Sequence, residues 1–148
     1  MSHFSCTSGS QPLPLSTFSP KDFLLSQESD VNLQKWITHH VADSKSPYLP
    51  KKIQSNEDKS TELWFDVSGQ VPRLLVPSDR QKEIFKTFHS ISHGSFKPTY
   101  VSISRENFWP RMKADIRRWS RDCSSCQRNK TARATRAPLQ QLNVPSDR

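Results

Sequence analysis

Apolar positions are sparse and locally ordered along this chain, and their spacing changes from one segment to the next. Residues 1–20 are rich in Ser, Thr and Pro with no apolar period and read as a tail, in which Cys6 is an incidental free thiol. Ser19-Pro20 offers an N-cap and a proline at the first helical position. Phe23, Leu24 and Leu25, then Val31, Leu33, Trp36 and Ile37, predict one or two short amphipathic helices, with Asp30 as a second N-cap. Residues 41–60 read as a linker, Ser-, Lys- and Pro-rich and without period, so 21–60 is a connector with short helices.

The period then changes. Glu62 to Val67 is rich in strand formers, Ser68-Gly69 signals a turn, and Val71 to Val76 returns, which predicts a β-hairpin within 61–77. Ser78 and Gln81 have capping-box spacing, and Ile84, Phe85, Phe88 and Ile91 predict a buried helical face on a helix from about Asp79 to His93, stopped at Gly94. Pro98 starts a second short helix, about Thr99 to Arg105. Trp109-Pro110 opens a third, where Met112, Ile116, Trp119 and Cys123 share a face. Residues 131–148, basic and marked by Pro138 and Pro145, read as an exit linker.

Composition sharpens this reading. Only 32% of the 148 residues are hydrophobic, too few for one continuous core, while the Trp and Phe content is too high for a wholly disordered chain. No apolar run approaches a membrane span, and the first residues lack the basic start and apolar stretch of a secretory signal. The formal net charge is +8, and the stretch from Ile103 to Arg136 alone carries +7, with ten basic residues against three acids. A concentrated positive face favours a polyanionic partner, nucleic acid ahead of a merely solvated surface.

Two ligand pairs stand on separate predicted helices. His89-x-x-x-His93 puts two imidazoles on one helical face, and Cys123-x-x-Cys126 brings two sulfurs together on a turn. Two nitrogens and two sulfurs suit a closed, structural, tetrahedral zinc site. Arg121 and Arg128 flank the thiols and favour the thiolate form. Ile84, Phe85, Phe88, Ile91, Phe108, Met112, Ile116 and Trp119 form a small core, so zinc should decide whether the domain folds. A redox role for the cysteine pair is the alternative, but no βαβ context surrounds it. His39 and His40 are adjacent, share no helical face, and read as a polar helix end.

The order, histidines before cysteines, resembles the zinc-binding domain at the start of retroviral and retrotransposon integrases. Leu63-Trp64-Phe65-Asp66-Val67-Ser68, Phe88-His89-Ser90-Ile91-Ser92-His93, Phe108-Trp109-Pro110-Arg111-Met112 and Cys123-x-x-Cys126-Gln127-Arg128 look like a gypsy-class LTR-retrotransposon polyprotein. Two positions depart from the family pattern: Gly94-Ser95 where Pro-Gly is usual after the second histidine, and Arg111 where Gly is usual. The resemblance implies a mostly α fold, a small three-helix bundle over 78–130 with a helix-turn-helix element, pinned by zinc on His89, His93, Cys123 and Cys126. It implies that the domain helps integrase subunits multimerise and contacts DNA.

Family analogy and local charge together nominate Arg117, Arg118, Arg121, Arg128, Lys130 and Arg133 as phosphate contacts. The catalytic core that follows this domain in the family has a carboxylate triad, and none is assignable among Asp115, Asp122 and Asp147. The chain is therefore expected neither to cut nor to join DNA, nor to bind a small-molecule substrate or membrane. Its expected place is intracellular, in the nucleus or the cytoplasm. A host-adopted or decayed fragment acting only in self-association, through an apolar surface including Trp64 and Phe96, is the competing reading.

Overall fold

The computed structural model describes residues 18–128. Five helices dominate: α1 (Pro20–Ser29), α2 (Val31–Ala42), α3 (Ser78–Ser92), α4 (Phe96–Ser104) and α5 (Met112–Arg121). A further helical turn covers 124–128. Four short strands, β1 (Pro50–Gln54), β2 (Glu62–Asp66), β3 (Arg73–Leu75) and β4 (Asn107–Phe108), form one sheet in the order β1-β2-β3-β4. The fold is mostly α, as expected. Among the described residues no helix is long and apolar enough to cross a membrane.

The expected hairpin is present as β2 and β3, with Phe65 opposite Leu74 and Asp66 opposite Arg73. It is the centre of a sheet rather than a free ribbon, because two strands join it that the residue pattern hid. β1 lies in the stretch expected to be a linker and pairs antiparallel with β2. Its first residue is Pro50, and Lys51 and Lys52 are exposed, which suits an edge strand and breaks any apolar alternation. β4 is two residues long and pairs parallel with β3, so the bundle helices and the hairpin share a sheet. The amides of Leu74 and Val76 donate to the carbonyls of Glu106 and Phe108 at 2.8 and 2.9 Å.

Successive strand residues point to opposite faces, and Leu74 and Leu75 supply two cores. Leu74 joins Phe23, Leu63, Val76, Ile84, Phe85, Ile103, Trp109, Met112 and Ile116. Leu75 joins Leu33 and Ile37 of α2 on the other side, with Trp36, Trp64 and Phe108 packed around them. The larger core thus mixes residues of α1, the sheet and all three bundle helices. One expectation fails here. Ile91 is 74% exposed, so the buried face of α3 ends at His89 rather than continuing to Ile91. At that point the imidazole of His89, not hydrocarbon, turns inward.

Two polar side chains lock the layers. Gln27 is fully buried, and its Nε2 donates to the carbonyls of Trp64 (3.1 Å) and Leu75 (2.6 Å) while its Oε1 accepts the Trp64 amide (2.9 Å). A side-chain amide thereby replaces a backbone partner between β2 and the end of β3, satisfying groups that would otherwise be buried unpaired. Asp30 caps α2 through the amides of Asn32 and Leu33, as expected, and its other oxygen accepts the Ser78 amide at 2.6 Å.

The Ser78/Gln81 capping box does not form. Ser78 is the first helical residue, Pro77 is the N-cap without a side-chain bond, and Gln81 donates to the Val76 carbonyl. Asp30, distant in sequence, supplies the acceptor instead.

Candidate metal centre

His89 sits in the last turn of α3, buried and stacked on Phe85 with ring centroids 4.8 Å apart. Phe85 in turn meets Trp119 of α5 at 5.4 Å, which brings the ends of the two helices together. His93 is the C-cap of α3 rather than a helical residue. Its backbone is left-handed (φ 45°, ψ 37°) and its amide donates to the His89 carbonyl at 2.8 Å. The helix therefore ends one residue before the expected Gly94 stop, and the left-handed turn falls on a ligand. From the other side, α5 ends at Arg121 with Asp122 as its C-cap, Cys123 comes next, and the turn at 124–128 carries the buried Cys126. The amide of Gln127 donates to the Cys123 carbonyl at 3.0 Å and closes that turn.

The four side chains meet as the spacing required. One nitrogen or sulfur from each of His89, His93, Cys123 and Cys126 lies within 4.8 Å of all the others, and no other such cluster is found among the described residues. Cys126 Sγ is 3.3 Å from His89 Nε2, and Cys123 Sγ is 3.6 Å from His93 Nδ1. Bonds of about 2.0–2.1 Å to nitrogen and about 2.3 Å to sulfur, opened to a tetrahedral angle, place the two donors roughly 3.6 Å apart. These two nitrogen–sulfur pairs are thus spaced as a shared zinc ion needs them. When bound, zinc supplies a four-ligand cross-link between α3 and the end of α5, with no position left for substrate.

The electrostatics favour the ligating form of Cys123. The Cys123 thiol is lowered from 9.0 to about 6, first because the Cys126 amide donates to its sulfur, then because His89 faces it. The flanking arginines expected to do this are not the cause. A second group orients the site: His89 Nδ1 is 3.3 Å from Thr99 Oγ1, and the Thr99 hydroxyl donates to the Ser95 carbonyl at 3.3 Å. With Nε2 facing the metal, Nδ1 carries the proton and donates it to Thr99. Thr99 stands ten residues from His89 on a different helix and carries no spacing signal, so the residue pattern does not reveal it.

The nominated basic residues are placed as follows. Arg117, Arg118 and Arg121 lie exposed on α5, and Arg128 is exposed on the terminal turn. Lys130 and Arg133 fall outside the described residues. Asp115, one of the acids that offered no catalytic triad, is half-buried: it accepts the Trp109 indole Nε1–H at 3.1 Å and pairs with Arg118 at 3.4 Å. Trp64 and Phe96 are half-buried and packed on the two cores. His40 packs on Trp36 and Tyr48 and hydrogen-bonds Ser46, in keeping with a polar helix end.

Residues 76–132 match the family model of the integrase zinc binding domain. That span contains all four donors of the cluster and the three helices that hold them. The match covers the zinc-binding domain and not the catalytic core. Neither a curated protein nor a solved structure gives a match.

Proposed function

We propose that this zinc-pinned integrase module binds DNA through the outward face of α5 and the turn that follows, and supports association of integrase subunits. The observation that carries this is the division of α5. Met112, Ile116 and Ser120 are buried, whereas Lys113, Arg117, Arg118 and Arg121 are exposed, with Arg111 at the N-cap. Among the described residues only Arg118 of these five has a carboxylate partner. Four unpaired cations on one rigid helix form a phosphate-binding strip, and the zinc site holds the end of that helix in place. Such contacts position DNA without reading its bases, so affinity is salt-dependent and sequence-tolerant. Cutting and joining DNA belong to a separate catalytic core, and a DNA-directed role favours the nucleus over the cytoplasm.

Fluorescence anisotropy of a labelled duplex with the zinc-loaded chain, over a salt series and with a chelator control, tests the reading. Binding should weaken steeply with salt, fall with chelation, and drop strongly in Arg117→Glu/Arg118→Glu. Unchanged low-salt affinity in that double variant rejects it. Ile91, 74% exposed close to His89, supports a second reading in which the module self-associates without DNA. A zinc-dependent oligomer by light scattering, lost in Ile91→Lys and devoid of duplex affinity, would establish that instead.

A further inference from the structure

We infer that α4 and α5 together form a stacking site for an unpaired nucleotide, so that the module takes single-stranded DNA as well as duplex. The inference rests on the nucleic-acid reading above and specifies the form of the ligand. Phe96 and Tyr100 stand one turn apart on α4, and their rings stack at a centroid distance of 5.7 Å and an interplanar angle of 26°. The Arg117 guanidinium lies over the Phe96 ring at 4.8 Å. Three flat π or guanidinium groups from two helices thus form one continuous surface.

Both rings pack their inner sides on the core and remain half-exposed. Around them the surface is cationic: Lys97 on α4 is exposed, and Lys113, Arg117 and Arg121 recur every four residues along α5. Arg117 has no carboxylate partner among the described residues, whereas its neighbour Arg118 is held by Asp115. Its charge is free for a phosphate while its guanidinium carbon stays 4.8 Å from the Phe96 ring centroid.

Aromatic faces beside a row of cations are what single-strand binding uses: charge follows the backbone and the rings take the bases. A duplex buries the faces of its bases in its own stack, so only an unpaired nucleotide can lay a base on this surface. A purely electrostatic strip has no use for the rings, whereas the row of cations beside them matches a phosphate backbone running past a stacked base.

The test compares two strands of equal length and charge, an oligothymidylate and an abasic phosphodiester, with the zinc-loaded full chain by anisotropy. A blunt duplex is measured in parallel. The oligothymidylate should bind at least about fivefold more tightly than the abasic strand. Tyr100→Leu and Phe96→Leu, which keep apolar bulk, should bring that ratio towards one and leave duplex affinity unchanged. Equal affinity for the two strands in the native chain overturns the stacking site, even with the duplex bound. A ratio that survives both substitutions also overturns it, because the base then stacks elsewhere. Failure of every DNA to bind overturns the nucleic-acid reading itself.

Discussion

His89 Nδ1 lies 3.3 Å from the hydroxyl of Thr99, and that contact joins the metal centre to α4. A ligand imidazole held in one tautomer and one orientation pays less ordering entropy on meeting the metal. Thr99→Val keeps the side-chain shape and removes the acceptor. Zinc affinity, read by competition with a chromophoric chelator, should fall about tenfold, at the lower end of such outer-ligand effects. Thr99→Ser should retain most of it.

Zinc removal should destabilise more than the ligand loops. The core that holds α3 and α5 also contains Phe23, Leu63 and Leu74, so the sheet loses its support when the helix ends part. Metal bound only by the folded chain adds about 2.7 kcal/mol when free zinc is a hundredfold above Kd. Chelation should lower the unfolding midpoint and weaken the near-ultraviolet signal of Trp109 and Trp119, and added zinc should restore both. A midpoint indifferent to zinc would reject the structural role.

Gln27→Leu should cost about 3 kcal/mol in denaturant titration. It fills the space but strands the amide of Trp64 and the carbonyls of Trp64 and Leu75, and each unsatisfied buried group costs on the order of 1–3 kcal/mol. A change below about 0.5 kcal/mol would show that the fork between β2 and β3 is hydrated or closed in another way.

Asp66 gives stability a pH dependence. Burial alone would raise its carboxyl, but the Leu49 amide, the Arg73 guanidinium at 2.6 Å and Ser68 outweigh it and hold it below 3.8. A carboxyl lowered by folding stabilises the native state above its unfolded value, and loses that contribution as pH falls through the folded value. Asp66→Asn should therefore be less stable than the native chain at pH 7. The gap between the two should narrow as pH falls from about 4 towards 2. Comparing the two proteins at each pH cancels the effect of acid on the metal ligands. A gap that stays constant over this range excludes the charge as its source.

Arg111 occupies a left-handed conformation, φ 68° and ψ 14°, where it begins α5. A side chain in that region costs roughly 1–2 kcal/mol, a cost glycine escapes. Arg111→Gly should raise the unfolding free energy by up to about 1 kcal/mol, the gain being trimmed by the greater freedom of glycine in the unfolded chain. A loss of stability would mean that the Arg111 side chain makes up for the strain. This is a position where glycine is usual in the integrase pattern, and the turn geometry supplies the physical reason.

What the residue pattern alone determined is local in character. The four zinc donors, the helix of His89 and that of Met112, Ile116 and Trp119, the Asp30 cap of α2 and the β2–β3 pair depend on spacings of a few residues. Helical period, turn chemistry and ligand spacing act over that same range, so these features were legible. The tertiary structure decided the rest. Asp30 reached Ser78, Thr99 reached His89, Gln27 filled the gap beside Trp64, and β1 and β4 completed the sheet. It also left Ile91 in solvent and put the left-handed turn on His93. Each of these contacts lies between segments that meet only after packing, where a short polar side chain or a two-residue strand gains its partner from position in space. Local composition carries no record of that position, and the shared core around Leu74 and Trp109 sets it.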